Sequence, residues 1–417
     1  MSYRSLRAIA VLFLPMTTRK VQTAFFVGAL MTLCGIRAAA QFPEGNFSLI
    51  QDAAKAIVAG DLGRAETELQ VVLGRSPGDY RASNLLGVIR AQQHREPEAE
   101  KLFKQVIEQK PDFAGAHVNL GMLYAQMERD DEAVAQFREA LRLDPQRTDA
   151  LSALVNVLRA QARAAVKAGN LEKGLALLLQ ARKDSPQDAD VLFEFGMIAL
   201  QMSLLPDAIQ AFQDELAVRK DDPDTLYALG RAQIGMAQYQ EARTSFERFL
   251  QIRPEDASGQ YALGVVLQSL QQASEARLHF EKSVALQPVQ TESYFQLGLI
   301  DLDEKHLDTA LNQFNRVLKR DPKHAGALFG TGRVAFERRE YQNAANLFER
   351  AIAADASLRQ AHYYLGLAYA RLGRKDDSEK ELQAASQLEH QEVEKHRVVL
   401  KILNSDNAPP ANADPAK

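Results

Sequence analysis

Residues 114–145 read AGAHVNLGMLYAQMERDDEAVAQFREALRLDP, and this stretch is one copy of a unit that recurs from about residue 46 to residue 390. Its glycine, Gly121, has counterparts at Gly87, Gly196, Gly230, Gly264, Gly298, Gly332 and Gly366, and within each run the step is 34 residues. Twelve residues after each glycine stands a small residue: Ala99, Ala133, Ala208, Ala242, Ala276, Ala310, Ala344 and Ser378. Four further on stands a large apolar one: Phe103, Phe137, Phe212, Phe246, Phe280, Phe314, Phe348 and Leu382. Many copies close on proline, at Pro77, Pro111, Pro145, Pro186, Pro254, Pro288 and Pro322.

Each column has a physical reason. Glycine lets two helices approach closely, and the expectation is that a Cβ there would meet the neighbouring backbone. The alanine does the same on the second helix of the unit. The large apolar residue lies one turn along the same face and fills the gap between the helices. Proline cannot continue a helix interior but suits a first turn, so it punctuates the end of each unit.

These columns, at this period, resemble those of the tetratricopeptide repeat family. The resemblance covers about 345 of the 417 residues, and nearly ten copies in register make it specific. It implies an all-α fold: a right-handed α-solenoid superhelix of about ten helix-turn-helix repeats, each burying its face on its neighbours. A generic helical bundle has no reason to repeat at one fixed spacing.

Residues 1–40 are of another kind. They hold five basic and no acidic residues; Arg19-Lys20 precede an apolar run over 21–35, and Ala38-Ala39-Ala40 come just before Gln41. That order predicts a secretory signal peptide cut between Ala40 and Gln41. The apolar run is too short for a comfortable bilayer span, so no stable membrane span is expected after processing. Leu33 stands where a lipobox before Cys34 needs a small residue, and Met16 offers an alternative start with a tidier signal. Removing 1–40 leaves 45 basic against 54 acidic residues, a balance of −9, and deletes the single cysteine. The remainder then has no disulfide or thiolate chemistry, and its acidic balance argues against nucleic-acid binding.

The repeat region, 46–390, opens on a degenerate copy, with Ala53 in place of glycine and Leu69 in place of Phe. Asn46-Phe47-Ser48 fits a glycosylation sequon. From Pro145 to Pro186 the step is 41 residues, seven too many, and 148–168 reads as one lengthened helix in repeat four. Seven residues make about two turns, so the buried face stays nearly in phase. A capping helix is expected over 391–404 and a disordered tail over 405–417.

No catalytic, cofactor or metal constellation emerges. There is no phosphate-binding glycine loop and no HExxH, the eight histidines are scattered, and Glu392 and His396, four apart, read as a solvated helix face. An enzyme is not expected. One column does stand out. Three residues before each glycine of the last six repeats is an aromatic: Phe193, Tyr227, Tyr261, Phe295, Phe329 and Tyr363. The family resemblance implies that this position looks into a concave groove. Such a line of rings could hold an extended peptide, a partner helix or a glycan, or could serve packing between units. Four residues after two of these aromatics come Arg231 and Arg333, candidates to pair with acidic ligand groups. The family's carboxylate clamp is not expected, because Val88 and Gly115 stand where clamp residues should accompany Asn84 and Asn119. The sequence therefore reads as an exported, non-catalytic protein-interaction scaffold of a bacterial envelope or periplasm, with envelope polysaccharide as the alternative ligand.

Overall fold

The structure, a computed structural model, describes residues 44–405, with side chains through residue 391. The expected leader with its cut between Ala40 and Gln41, the side chains of Glu392 and His396, and the tail from 406 onward lie outside the described residues. Among the described residues there are twenty α-helices and no strand, and consecutive helices pack in pairs. The chain divides into two compact units, Met1–Val218 and Arg219–Lys417. In the first, five pairs run from Glu44–Val58 with Leu62–Arg75 to Ala189–Gln201 with Leu205–Val218. In the second, five run from Pro223–Gly235 with Tyr239–Ile252 to Arg359–Arg371 with Lys375–Ser405. Short polar residues start many of these helices: Asp222 accepts from the Thr225 amide at 2.9 Å, and Asp256 from the Gly259 amide at 2.8 Å.

The glycine column works differently from its sequence reading. A Cβ on Gly87, Gly121, Gly196, Gly230, Gly264, Gly298 or Gly332 would sit 2.5–2.7 Å from a ring carbon of the phenylalanine sixteen residues on. What the missing side chain admits is therefore an aromatic ring, not a neighbouring backbone. Those seven phenylalanines are the largest fully buried side chains of the fold. The alanine column, from Ala99 to Ala344, is also fully buried.

Repeat four keeps this arrangement with the sizes exchanged. Its lengthened first helix is Thr148–Lys167, 20 residues against 13 for Ala114–Gln126. Buried Ala162 takes the glycine place, Gly174 the alanine place, and buried Leu178 the phenylalanine place. A Cβ on Gly174 would lie 3.3 Å from the Ala162 carbonyl oxygen, and one on Gly366 of repeat ten 3.2 Å from the Ser378 carbonyl oxygen, so close backbone approach occurs in these two repeats. Repeat one likewise joins Ala53 to Leu69. Leu thus stands with Ala in repeats one and four, whereas repeat ten joins Gly366 to Leu382, whose Cγ an added Cβ would meet at 2.8 Å.

Two residues beyond the end of the first helix, seven places after the glycine column, seven repeats carry a residue with φ between +56° and +65°: His94, Glu128, Ser203, Ala237, Gln271, Lys305 and Arg339. Gly60, Gly169 and Gly373 fill the same place in the remaining repeats. The left-handed turn lets the next amide reach back to the helix, as Gln238 N does to the Gln233 carbonyl at 2.9 Å.

At the C-terminal end, Lys375–Ser405 is one continuous helix of 31 residues. Residues 391–404 extend the second helix of repeat ten, since no Gly or Pro interrupts it. The sequon is closed: Asn46 is fully buried and its amide donates to Ser76 Oγ at 3.0 Å.

Gly264→Ala is expected to cost about 1–3 kcal/mol by overpacking, less the roughly 1 kcal/mol alanine gains over glycine in a helix. Adding Phe280→Leu should relieve the clash, so a double-mutant cycle in urea should give a favourable coupling of about 1–3 kcal/mol. Additivity of the two changes would show that the ring is not what the glycine accommodates. Separately, Ala237→Gly should raise stability by up to about 1 kcal/mol by removing the left-handed strain. A lowered unfolding midpoint would contradict that account of the turn.

Candidate functional site

The aromatic column sits on the first helix of each pair, one turn before the glycine, and therefore above the buried phenylalanine of its own repeat. In the second unit Tyr227 meets Phe246 and Phe249 with ring centroids 5.5 and 5.3 Å apart. Tyr261 meets Phe280 at 5.9 Å, Phe295 meets Phe314 at 6.1 Å, and Phe329 meets Phe348 at 5.7 Å. In the first unit Phe193 meets Phe212 at 6.2 Å. Every one of these rings thus rests on the core.

Their outer sides differ. Phe193, Tyr227, Tyr261 and Phe295 are half-buried, Phe329 is buried, and Tyr363 is 46% exposed. Phe295 is closed from the next repeat as well: its ring lies 5.1 Å from that of His324, and a Cβ on Gly326 would come within 2.8 Å of it. His324 is itself fixed, since its Nδ1 accepts the Ala327 amide at 3.0 Å. Burial pushes the Tyr227 hydroxyl pKa up, opposed by the charge of Arg231. Burial also raises that of Tyr261, opposed by a hydrogen bond with Gln296. Sugar stacking needs a free ring face, and in this column only Tyr363 is more than about a third exposed. The alternative of a polysaccharide track along the column finds no support.

The next residues on the same helical face are Arg231, Val265, Leu299, Arg333 and Leu367, all half-buried. The guanidinium of Arg333 lies over the Tyr364 ring, 4.9 Å from its centroid. Its Nε is buried with no hydrogen-bond partner. Sequence reasoning found Arg333 but missed Tyr364. The signal was present, because Tyr364 stands in the column that elsewhere holds Ala228, Ala262, Gln296 and Gly330.

Two other polar groups resolve as structural. Asn119 Nδ2 donates to Asn84 Oδ1 at 3.1 Å, and both side chains are buried, so they join repeats two and three. Asp301, Glu304 and His306 bring ligand atoms within 4.8 Å of one another. Arg277 occupies that cluster, however, 2.8 Å from Asp301 and 2.7 Å from Glu304. A cation would have to displace the guanidinium, so this is an ion-paired link between repeats rather than a metal centre. No helix among the described residues is long and apolar enough to cross a membrane.

Family models described as tetratricopeptide repeat match residues 55–112, 159–224, 227–290, 295–359 and 338–388, and a second such model matches 90–158. Among solved structures, the chain is similar to YrrB, described as a TPR protein with an unusual peptide-binding site. The identity is 27%, coverage is 44% of this chain and 95% of that one, and the TM-score is 0.38. It is similar to MamA at 21% identity, covering 39% of this chain and 96% of that one, TM-score 0.38. It is similar to yeast Tom70 at 13% identity, covering 87% and 99%, TM-score 0.36. No curated protein matches.

The shielding of the column is measurable. Because folding raises the Tyr227 and Tyr261 pKa values, the unfolded chain releases protons above about pH 10 that the folded chain retains. Stability should therefore fall as pH rises through that range, and the fall should flatten in Tyr261→Phe. Ultraviolet titration in which every tyrosine ionises as a free one would mean that these rings are open to water.

Proposed function

The chain belongs to the tetratricopeptide repeat family, and on that premise we propose that it is a non-catalytic scaffold whose second unit holds a partner protein or peptide. The face that would bind is the first-helix surface carrying Tyr227, Arg231, Tyr261, Arg333 and Tyr363. One observation carries the reading: Arg231 and Arg333 are half-buried on that face, and no ion pair to either occurs among the described residues. A partly desolvated cation without a counter-charge is costly to a fold and useful to a binding surface. Phe295 and Phe329 support the face from beneath, because their rings are closed by core and neighbouring repeat.

The reading extends to location. A leader over 1–40, an acidic remainder and a single cysteine inside that leader fit an exported protein of a bacterial envelope or periplasm.

The test is affinity capture with the protein as recovered from cells, beside an Arg231→Gln, Tyr363→Ser variant of matched helical content. A partner held by the first and reduced at least tenfold by the second is the expected result. Equal capture by both would remove this face from consideration. The mass of the recovered protein tests export: loss of residues 1–40 is expected, and their retention would end that part of the proposal.

A further inference from the structure

Arg333, like Arg231, differs from the acid-paired half-buried arginines of its unit. Arg243 is held by Glu247 at 2.7 Å, Arg248 by Asp221 at 2.6 Å, and Arg277 by Asp301 and Glu304. Arg333 has an aromatic ring instead of an acid. Its Nε is sealed without a partner, so the exposure it retains lies elsewhere along the side chain.

The ring beneath it is firmly placed. Tyr364 is wedged among Phe329 at 5.7 Å, Phe336 at 5.8 Å, Phe348 at 6.0 Å and Tyr363 at 5.6 Å. A guanidinium stacked on such a platform loses little further freedom when it binds, and its planar fork matches the two oxygens of a carboxylate. Leu299 and Leu367 occupy the same half-buried position in the preceding and following repeats. One positive charge is thus flanked along the column by aliphatic side chains.

We propose that Arg333, stacked on Tyr364, is the anchor for one Asp or Glu carboxylate of an otherwise apolar peptide segment. This rests on the peptide-binding reading above and names the chemistry of the ligand. A single carboxylate suits the site better than a polyanion. The other unpaired arginine of the column, Arg231, is three repeats away, and the chain's own formal charge of −4 opposes dense negative charge.

The probes are three fluorescein-labelled libraries of nine-residue peptides, with Ala, Leu, Phe and Gln at the flanking positions. The central residue is fixed as Glu, as Gln or as phosphoserine, and binding to the full chain is followed by fluorescence anisotropy. The Glu library should bind at least tenfold more tightly than the Gln library. That preference should vanish in Arg333→Gln, survive in part in Arg333→Lys, and shrink as salt rises. Equal binding of the Glu and Gln libraries overturns the proposal, as does a Glu preference that persists in Arg333→Gln. A phosphoserine library that binds most tightly and depends on Arg333 would replace the carboxylate with a phosphate. If none of the libraries binds the unaltered chain, the peptide-binding reading fails first and takes this proposal with it.

Discussion

In seven of the ten repeats a phenylalanine ring of the second helix lies where the first helix has a glycine, and the spacing of the pair follows from that contact. Truncating such a ring would leave a cavity between two helices and cost about 3–5 kcal/mol. The alanine column closes the same interface one turn away. The aromatic column then rests on the upper side of the same rings, from Phe246 through Phe348. The candidate binding face is thus built directly on the core contact, and each depends on the other's position.

The period made the fold legible. Spacing of Gly, Ala and Phe at fixed intervals is enough to place the helix pairs, because each column answers a distance constraint that sequence shows directly. Three details were not legible. The partner of the glycine is a ring, which depends on the angle between helices and not on spacing. The insertion in repeat four carried Ala162 seven places past its column, so a search at the regular step passes over it. The left-handed turn is filled by His94, Ser203, Lys305 and others with no shared chemistry, so only backbone angles reveal it.

The candidate site was half legible. The column of Tyr and Phe is a sequence pattern, but which ring faces water is decided by the next repeat. Gly326 and His324 close Phe295, whereas Tyr363 stands open. Arg333 could be named from its register, and its lack of an acid partner could not. Asn84 and Asn119, which resemble ligand-binding amides in sequence, are buried and hydrogen-bonded to each other between two first helices.

The exchange of sizes in repeat four has a consequence for how such a chain changes over time. Glycine with phenylalanine and alanine with leucine are both filled, and the two routes between them differ. Alanine against phenylalanine is overcrowded, whereas glycine against leucine is the pairing repeat ten carries, with Leu382 closed on Gly366. A repeat therefore passes from one pairing to the other more readily through glycine with leucine than through alanine with phenylalanine. An array that holds all three pairings, such as this one, thus marks the ring and not the glycine as the member free to change first.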